Sequence, residues 1–130
     1  MTGQPDINDL RLWALRGATK VGRNDADVIV SGTEELLGEL ISRNELEPDF
    51  MVSCIFTSTH DLNAEFPAVA ARRLGLEGVP LLCSQEIDVP GAMPSVIRVL
   101  LHYYGPPERK PVHVYLGDAQ ALRSDLTAAQ

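Results

Sequence analysis

Arg98 and Glu86 carry the chemistry that the spacing of this chain most readily allows. Arg98 lies within the apolar run Pro94-Ser-Val-Ile-Arg-Val-Leu-Leu-His-Tyr-Tyr104. Its β-branched neighbours predict a mostly buried strand. Alternation places Ile97, Val99, Leu101 and Tyr103 on one face and Val96, Arg98, Leu100 and His102 on the other. A permanent cation among hydrophobes needs an anion, because an unpaired buried charge is too costly to keep. Glu86, at the polar end of Val79-Pro-Leu-Leu-Cys-Ser-Gln-Glu86, is the nearest carboxylate in sequence. Three readings stay open at this level: a structural Arg98–Glu86 ion pair, an arginine head that snorkels to water, and a cation that meets an anionic ligand.

Other reactive side chains form no recognisable constellation. His60, His102 and His113 lack metal-ligand spacing and read as surface or core-edge histidines. Cys54 and Cys83 sit in apolar runs without a CxxC motif and read as reduced thiols. Cys83 has no base near it in sequence to make it a nucleophile. Arg72 and Arg73 close a short helix and suit its negative end. No nucleophile elbow, Walker loop, dinucleotide fingerprint or HExxH motif is present.

The positioning elements follow from the patterning. Leu10–Gly17 alternates as a first strand, with Leu10, Leu12, Ala14 and Arg16 on one face. Asn24 can cap a helix in which Ile29, Thr33, Leu36, Leu37, Leu40 and Ile41 recur at helical spacing, ending between Asn44 and Pro48. Gly32 and Gly38 each cost that helix up to about 1 kcal/mol. Phe50–Thr57 is a second strand and Ser58–Asn63 a polar loop. Pro67–Leu74 forms a short helix stopped by Gly75. Val79–Cys83 is a third strand, Pro90-Gly91 a turn, and Gly105–Pro111 a proline-rich loop after the arginine strand. Val112–Leu116 and Ala119–Arg123 are expected as the last strands. The pattern predicts an α/β (α+β) fold: a mixed β-sheet with one long and one short helix.

The chain has 130 residues, with 11 basic and 18 acidic side chains and a net charge of −7. One domain over 10–126 is expected, with a flexible leader at 1–9 and a short tail at 127–130. The acidic balance argues against nucleic acid or an anionic membrane as partner. No apolar run reaches membrane-spanning length and the leader is not a secretory signal, so a soluble, cytoplasmic protein is expected. Nine of the basic residues are arginine, which suits bidentate carboxylate recognition.

Six short segments, in order, point to a family. They are Leu15-Arg-Gly-Ala-Thr19, Phe66-Pro-Ala-x-Ala-x-Arg72, Cys83-x-Gln-Glu86, Ile97-Arg-Val99, His113-Val-Tyr-Leu116 and Leu122-Arg-x-Asp-Leu126. Together they resemble the monofunctional trimeric chorismate mutases of the AroH type, over about residues 11–126. The resemblance implies a pseudo-α/β-barrel trimer with sites between subunits. It implies the Claisen rearrangement of chorismate, a dianion, to prephenate in aromatic amino acid biosynthesis, without metal, cofactor or covalent intermediate. By resemblance Arg98 faces the ether oxygen, Glu86 faces the ring, and Cys83 lies beside Glu86. Arg16 and Tyr115 hold the enolpyruvyl carboxylate, and Arg72 and Arg123 serve the second carboxylate. Phe66, Ala68, Leu82 and Leu122 line apolar walls. One position departs from the family: Val69 stands where lysine is usual, which implies weaker substrate binding with less effect on turnover. The short tail after Leu126 implies a reduced C-terminal cover. Two other readings compete: a Rid-type deaminase, which shares the trimeric barrel but has glycine-rich and proline-ended segments absent here, and a non-catalytic carboxylate-binding sensor.

Overall fold

Helix α1 (Ala26–Asn44) is built on a stripe of apolar residues that must be covered, and a five-stranded sheet covers it. The structure, a computed structural model, describes residues 6–123. The strands are β1 (Arg11–Lys20), β2 (Met51–Ser58), β3 (Leu81–Gln85), β4 (Val96–Gly105) and β5 (Val114–Leu116), and a short helix α2 (Ala68–Arg73) links β2 to β3. The sheet order is β3-β2-β4-β1-β5. β4 runs antiparallel to both neighbours, while the outer pairs β2–β3 and β1–β5 are parallel. This is the expected mixed sheet with one long and one short helix.

Alternation along β4 decides what is covered. Ile97, Val99, Leu101 and Tyr103 are buried, whereas Arg98, Leu100, His102 and Tyr104 are only half-buried. Val99, Leu101 and Tyr103 pack with Leu15, Cys54 and Phe56 from neighbouring strands and with Leu36, Leu37 and Leu40 of α1, and Ile97 packs with Val21, Ile29 and Leu62. On the opposite face, among the described residues, only the helical segment after β5 packs down, with Ala119 and Leu122 against Ala18 and Val96. Register brings Leu82, Ile55 and Leu100 side by side across β3, β2 and β4, with Arg16 next in line on β1. Leu82 and Leu12 on that face are 60% and 50% exposed.

Gly17 lies where β1, α1 and β5 meet. A Cβ there would sit 3.0 Å from Leu40 Cδ1, 3.1 Å from Leu36 Cδ1 and 3.1 Å from the Val114 carbonyl oxygen. Gly32 is likewise required, since a Cβ would come within 2.6 Å of Val21 Cγ1. Gly38 faces nothing within 4 Å. Gly38→Ala is therefore expected to stabilise the fold by about 0.5–1 kcal/mol through helix propensity. Gly17→Ala is expected to destabilise it by about 1–3 kcal/mol, because a backbone carbonyl cannot step aside. Urea midpoints with unchanged m-values would check both.

Several local expectations are corrected. Asp25, rather than Asn24, caps α1, accepting from the N–H groups of Asp27 and Val28 at 2.9 and 3.2 Å. Asn24 instead pins the loop after β2: its Oδ1 accepts the N–H groups of Asn63 and Ala64 at 3.0 Å. Residues 119–123, expected as a strand, continue from a 3-10 turn (Gly117–Ala119) into helical backbone. Ala119 and Leu122 then share a buried face at helical spacing. β3 begins at Leu81 rather than Val79, whose N–H closes a turn onto Leu76. β5 begins at Val114 rather than Val112, because the Asn44 side chain takes both the N–H and the carbonyl of Val112. Ile7–Asp9, within the expected leader, form a 3-10 turn. The rest of that leader (1–5), the tail 127–130 and the end of the Leu122–Leu126 segment lie outside the described residues. No helix among the described residues is long and apolar enough to cross a membrane.

Candidate active site

Arg98 projects from the uncovered face of β4, between Ala18 of β1 and Thr57 of β2 in register. Its Nε donates to both carboxylate oxygens of Glu86, at 3.2 Å to Oε1 and 3.0 Å to Oε2. Glu86 is held in turn. Its backbone N–H donates to the Ser58 carbonyl at 2.9 Å, and Thr57 Oγ1 donates to Oε2 at 2.7 Å. Thr57 had no place in the sequence reading. Its position at the polar end of a strand, on the arginine side of the alternation, was the signal that could have found it.

The pair is neither sealed nor lost to bulk water. The Arg98 side chain is 37% exposed and that of Glu86 17%. Both bonds use Nε, so the two terminal nitrogens are not committed to the glutamate. A hollow of about 310 Å³ lies beside them, lined by Arg98, Arg16, Ala18, Ile55, Thr57, Leu100 and Tyr115. The structural ion pair and a ligand-facing cation are thus compatible: Glu86 holds the guanidinium through Nε, and the hollow lies beside it.

The start of β4 is fixed as firmly. Ser95 adopts a left-handed backbone (φ 60°), and Asp61 Oδ2 accepts from both its N–H and its hydroxyl at 3.0 Å. Burial pushes the Asp61 carboxyl up, but hydrogen bonds from Thr59 and Ser95 outweigh it and hold the group below the usual carboxylate range. The sequence reading passed over Asp61 as part of a polar loop.

The expected site residues fall into two groups at opposite edges of the sheet. At the β1–β5 edge, Arg16 and Tyr115 share the hollow with Arg98. Arg123 follows on the helical segment after β5, and Leu122 is buried there against Ala18, Val96 and Ala119. At the β3 edge, Phe66 and Cys83 line a second hollow of about 380 Å³. Phe66 is 65% exposed, and Leu82 projects from the uncovered face nearby. Ala68 is buried in the main core, Val69 is half-buried against it, and Arg72 is exposed in the last turn of α2. Cys54 lies beneath Cys83. Burial, with a smaller effect of Cys83, pushes its thiol up to about 12, so it stays protonated. Arg98 and Glu86 stand between the two groups. Within one chain, then, the expected site residues do not close around a single cavity.

A guanidinium oriented by a carboxylate beside an arginine- and tyrosine-lined hollow makes a site that can act through charge. Residues 12–126 match the sequence profile of chorismate mutase type I, and the chain belongs to that family. It is similar to the chorismate mutases AroH of Thermus thermophilus and Bacillus subtilis (strain 168). The first is 42% identical over 118 residues, covering 89% of this chain and 97% of the relative. The second is 39% identical over 120 residues, covering 91% and 94%. Among solved structures, a chorismate mutase from Clostridium thermocellum superposes with a TM-score of 0.80 at 48% identity, over 84% of this chain and 98% of that one. The chain is accordingly an isomerase of aromatic biosynthesis, acting on chorismate.

Proposed function

We propose that chorismate binds as a dianion between neighbouring subunits of a homotrimer and rearranges there by a concerted pericyclic step. In that step the ether C–O bond breaks as a new C–C bond forms. No proton is transferred and no nucleophile is consumed, which accounts for the lack of acid–base or nucleophilic motifs. Negative charge grows on the ether oxygen and positive charge on the ring fragment. Arg98 donates to the oxygen, and Glu86 faces the ring while fixing Arg98. Arg16 and Tyr115 hold the enolpyruvyl carboxylate. Arg72 and Arg123 draw in the second carboxylate, and Phe66, Leu82 and Cys83 form the wall opposite. Ala68, buried in the core, supports that wall from behind, and Leu122 adds apolar surface at the β1–β5 edge.

The observation that carries this reading is the guanidinium held through Nε alone, with an arginine- and tyrosine-lined hollow beside it. The division of the expected site residues between the two sheet edges supports a shared site. So does the uncovered apolar stripe Leu82–Ile55–Leu100, since exposed apolar patches of this kind mark interfaces. The free cysteines fit a cytoplasmic location. Magnitudes agree: a 10⁶-fold acceleration asks for roughly 8 kcal/mol. One preorganised donor to a developing oxyanion supplies about 3–4 kcal/mol, and selection of the reactive conformer several more.

Chorismate disappearance followed by absorbance, together with sedimentation of the active species, tests the proposal. Rearrangement well above the buffer rate by a particle of three chains is expected. Full activity in a particle of one chain would remove the shared site.

A further inference from the structure

We propose that His113 is a positioning residue for the carboxylate-binding edge of the site, fixing the strand segment from which the Arg16 side chain projects. The inference rests on the assignment of Arg16 to a substrate carboxylate.

The geometry is local and directed. The backbone N–H of Arg16 donates to His113 Nδ1 at 3.0 Å. The parallel ladder between β1 and β5 begins one residue later, with Gly17 opposite Val114. The imidazole thus accepts the Arg16 N–H just ahead of that ladder. Without it, the N–H of a half-buried residue would lose its hydrogen bond at the rim of the hollow.

The ring is itself held from behind. Asn44, buried at the end of α1, accepts the Val112 N–H at 2.7 Å and donates to the Val112 carbonyl at 3.0 Å. Its Nδ2 also donates to the Leu40 carbonyl at 2.9 Å. Val112 is thus tied to α1 and Val114 to β1, which leaves His113 little backbone freedom. Asn44 ties the segment before β5 to α1, and His113 ties it to β1.

Accepting at Nδ1 requires the neutral ring with its hydrogen on Nε2. Burial first, then the cations Arg16 on β1 and Arg123 on the terminal helical segment, hold the imidazole below its ordinary pKa of 6.5. The bond to the Arg16 N–H opposes this shift in part. The neutral form is therefore favoured in the folded chain. The acceptor is lost only as pH falls below the ordinary imidazole range.

Initial-rate kinetics on wild type, His113→Phe, His113→Asn and Arg16→Ala test the proposal, with thermal unfolding as a check on folding. Phenylalanine keeps a ring but has no acceptor, whereas the Oδ1 of asparagine can stand where Nδ1 stood. His113→Phe is expected to raise KM about tenfold with kcat within about threefold, and His113→Asn to bring KM back to within about threefold of wild type. Wild-type KM should also rise as pH falls below the ordinary imidazole range, a limb that disappears in His113→Asn. The wild-type profile and the asparagine variant keep the test alive if the phenylalanine variant does not fold. An unchanged KM in His113→Phe, or equal losses in both His113 variants, would overturn the proposal while a raised KM in Arg16→Ala left the site assignment standing. An unchanged KM in Arg16→Ala would instead remove the assignment on which the inference rests.

Discussion

Arg98→Ala is expected to lower kcat by about 10³-fold or more, the loss seen when a preorganised donor to a developing oxyanion is removed. KM should move far less, because the carboxylate grips belong to other residues. The guanidinium is held by two bonds from a single nitrogen, so its direction is set by Glu86 rather than by the substrate. A donor already aimed in the ground state does not need to reorganise as charge develops. Arg98→Lys is expected to recover only part of the loss, since an ammonium keeps the charge without the fork geometry or the Nε contact. Steady-state kinetics on chorismate decide the matter. Alanine and wild type sharing one kcat would end the assignment of Arg98 to the reacting oxygen.

Glu86→Ala is expected to cost about 10²-fold in kcat, because it frees the guanidinium to swing and misplacement of about 1 Å is that expensive. It also leaves Thr57 Oγ1 without its 2.7 Å partner. Glu86→Gln preserves shape and an acceptor for Arg98 Nε while removing the charge that faces the cationic ring fragment. Its kcat should fall between alanine and wild type. If glutamine were as poor as alanine, charge at the ring would outweigh orientation of the arginine. If alanine turned over like wild type, Glu86 would have no part in the reaction.

Much of this was legible in the residues. The alternation of β4 separated Ile97, Val99, Leu101 and Tyr103 from Arg98, Leu100 and His102, while Val96, on the arginine face, is buried because Ala119 and Leu122 pack on it. The cost of a lone cation among hydrophobes made Glu86 one of the partners open to Arg98, and the structure shows that pair. Failures occurred where a side chain competed with the backbone ladder. Asn44 claims both backbone groups of Val112, so a run that alternates well enough for a strand is diverted. Asn24, a good cap by type, is committed to Asn63 and Ala64 across the chain, and Asp25 takes the helix instead. For residues 119–123, alternation was preferred over the three-residue spacing of Ala119 and Leu122, and that spacing marks their shared buried face. Thr57 and His113 stayed hidden because a hydroxyl and an imidazole bond whatever tertiary packing brings to them, and their partners are distant in sequence.

Placing Arg98 on the strand bonded along both sides also divides the molecule by tempo. Amide exchange in β4 should require an opening close to global unfolding, since both its edges are paired over most of their length. β5 is only three residues long and lies at the margin of the sheet, so its protons should exchange through smaller openings than those of β4. The strand that carries the guanidinium is then the last to surrender its protons, and the order of loss along the sheet would show it.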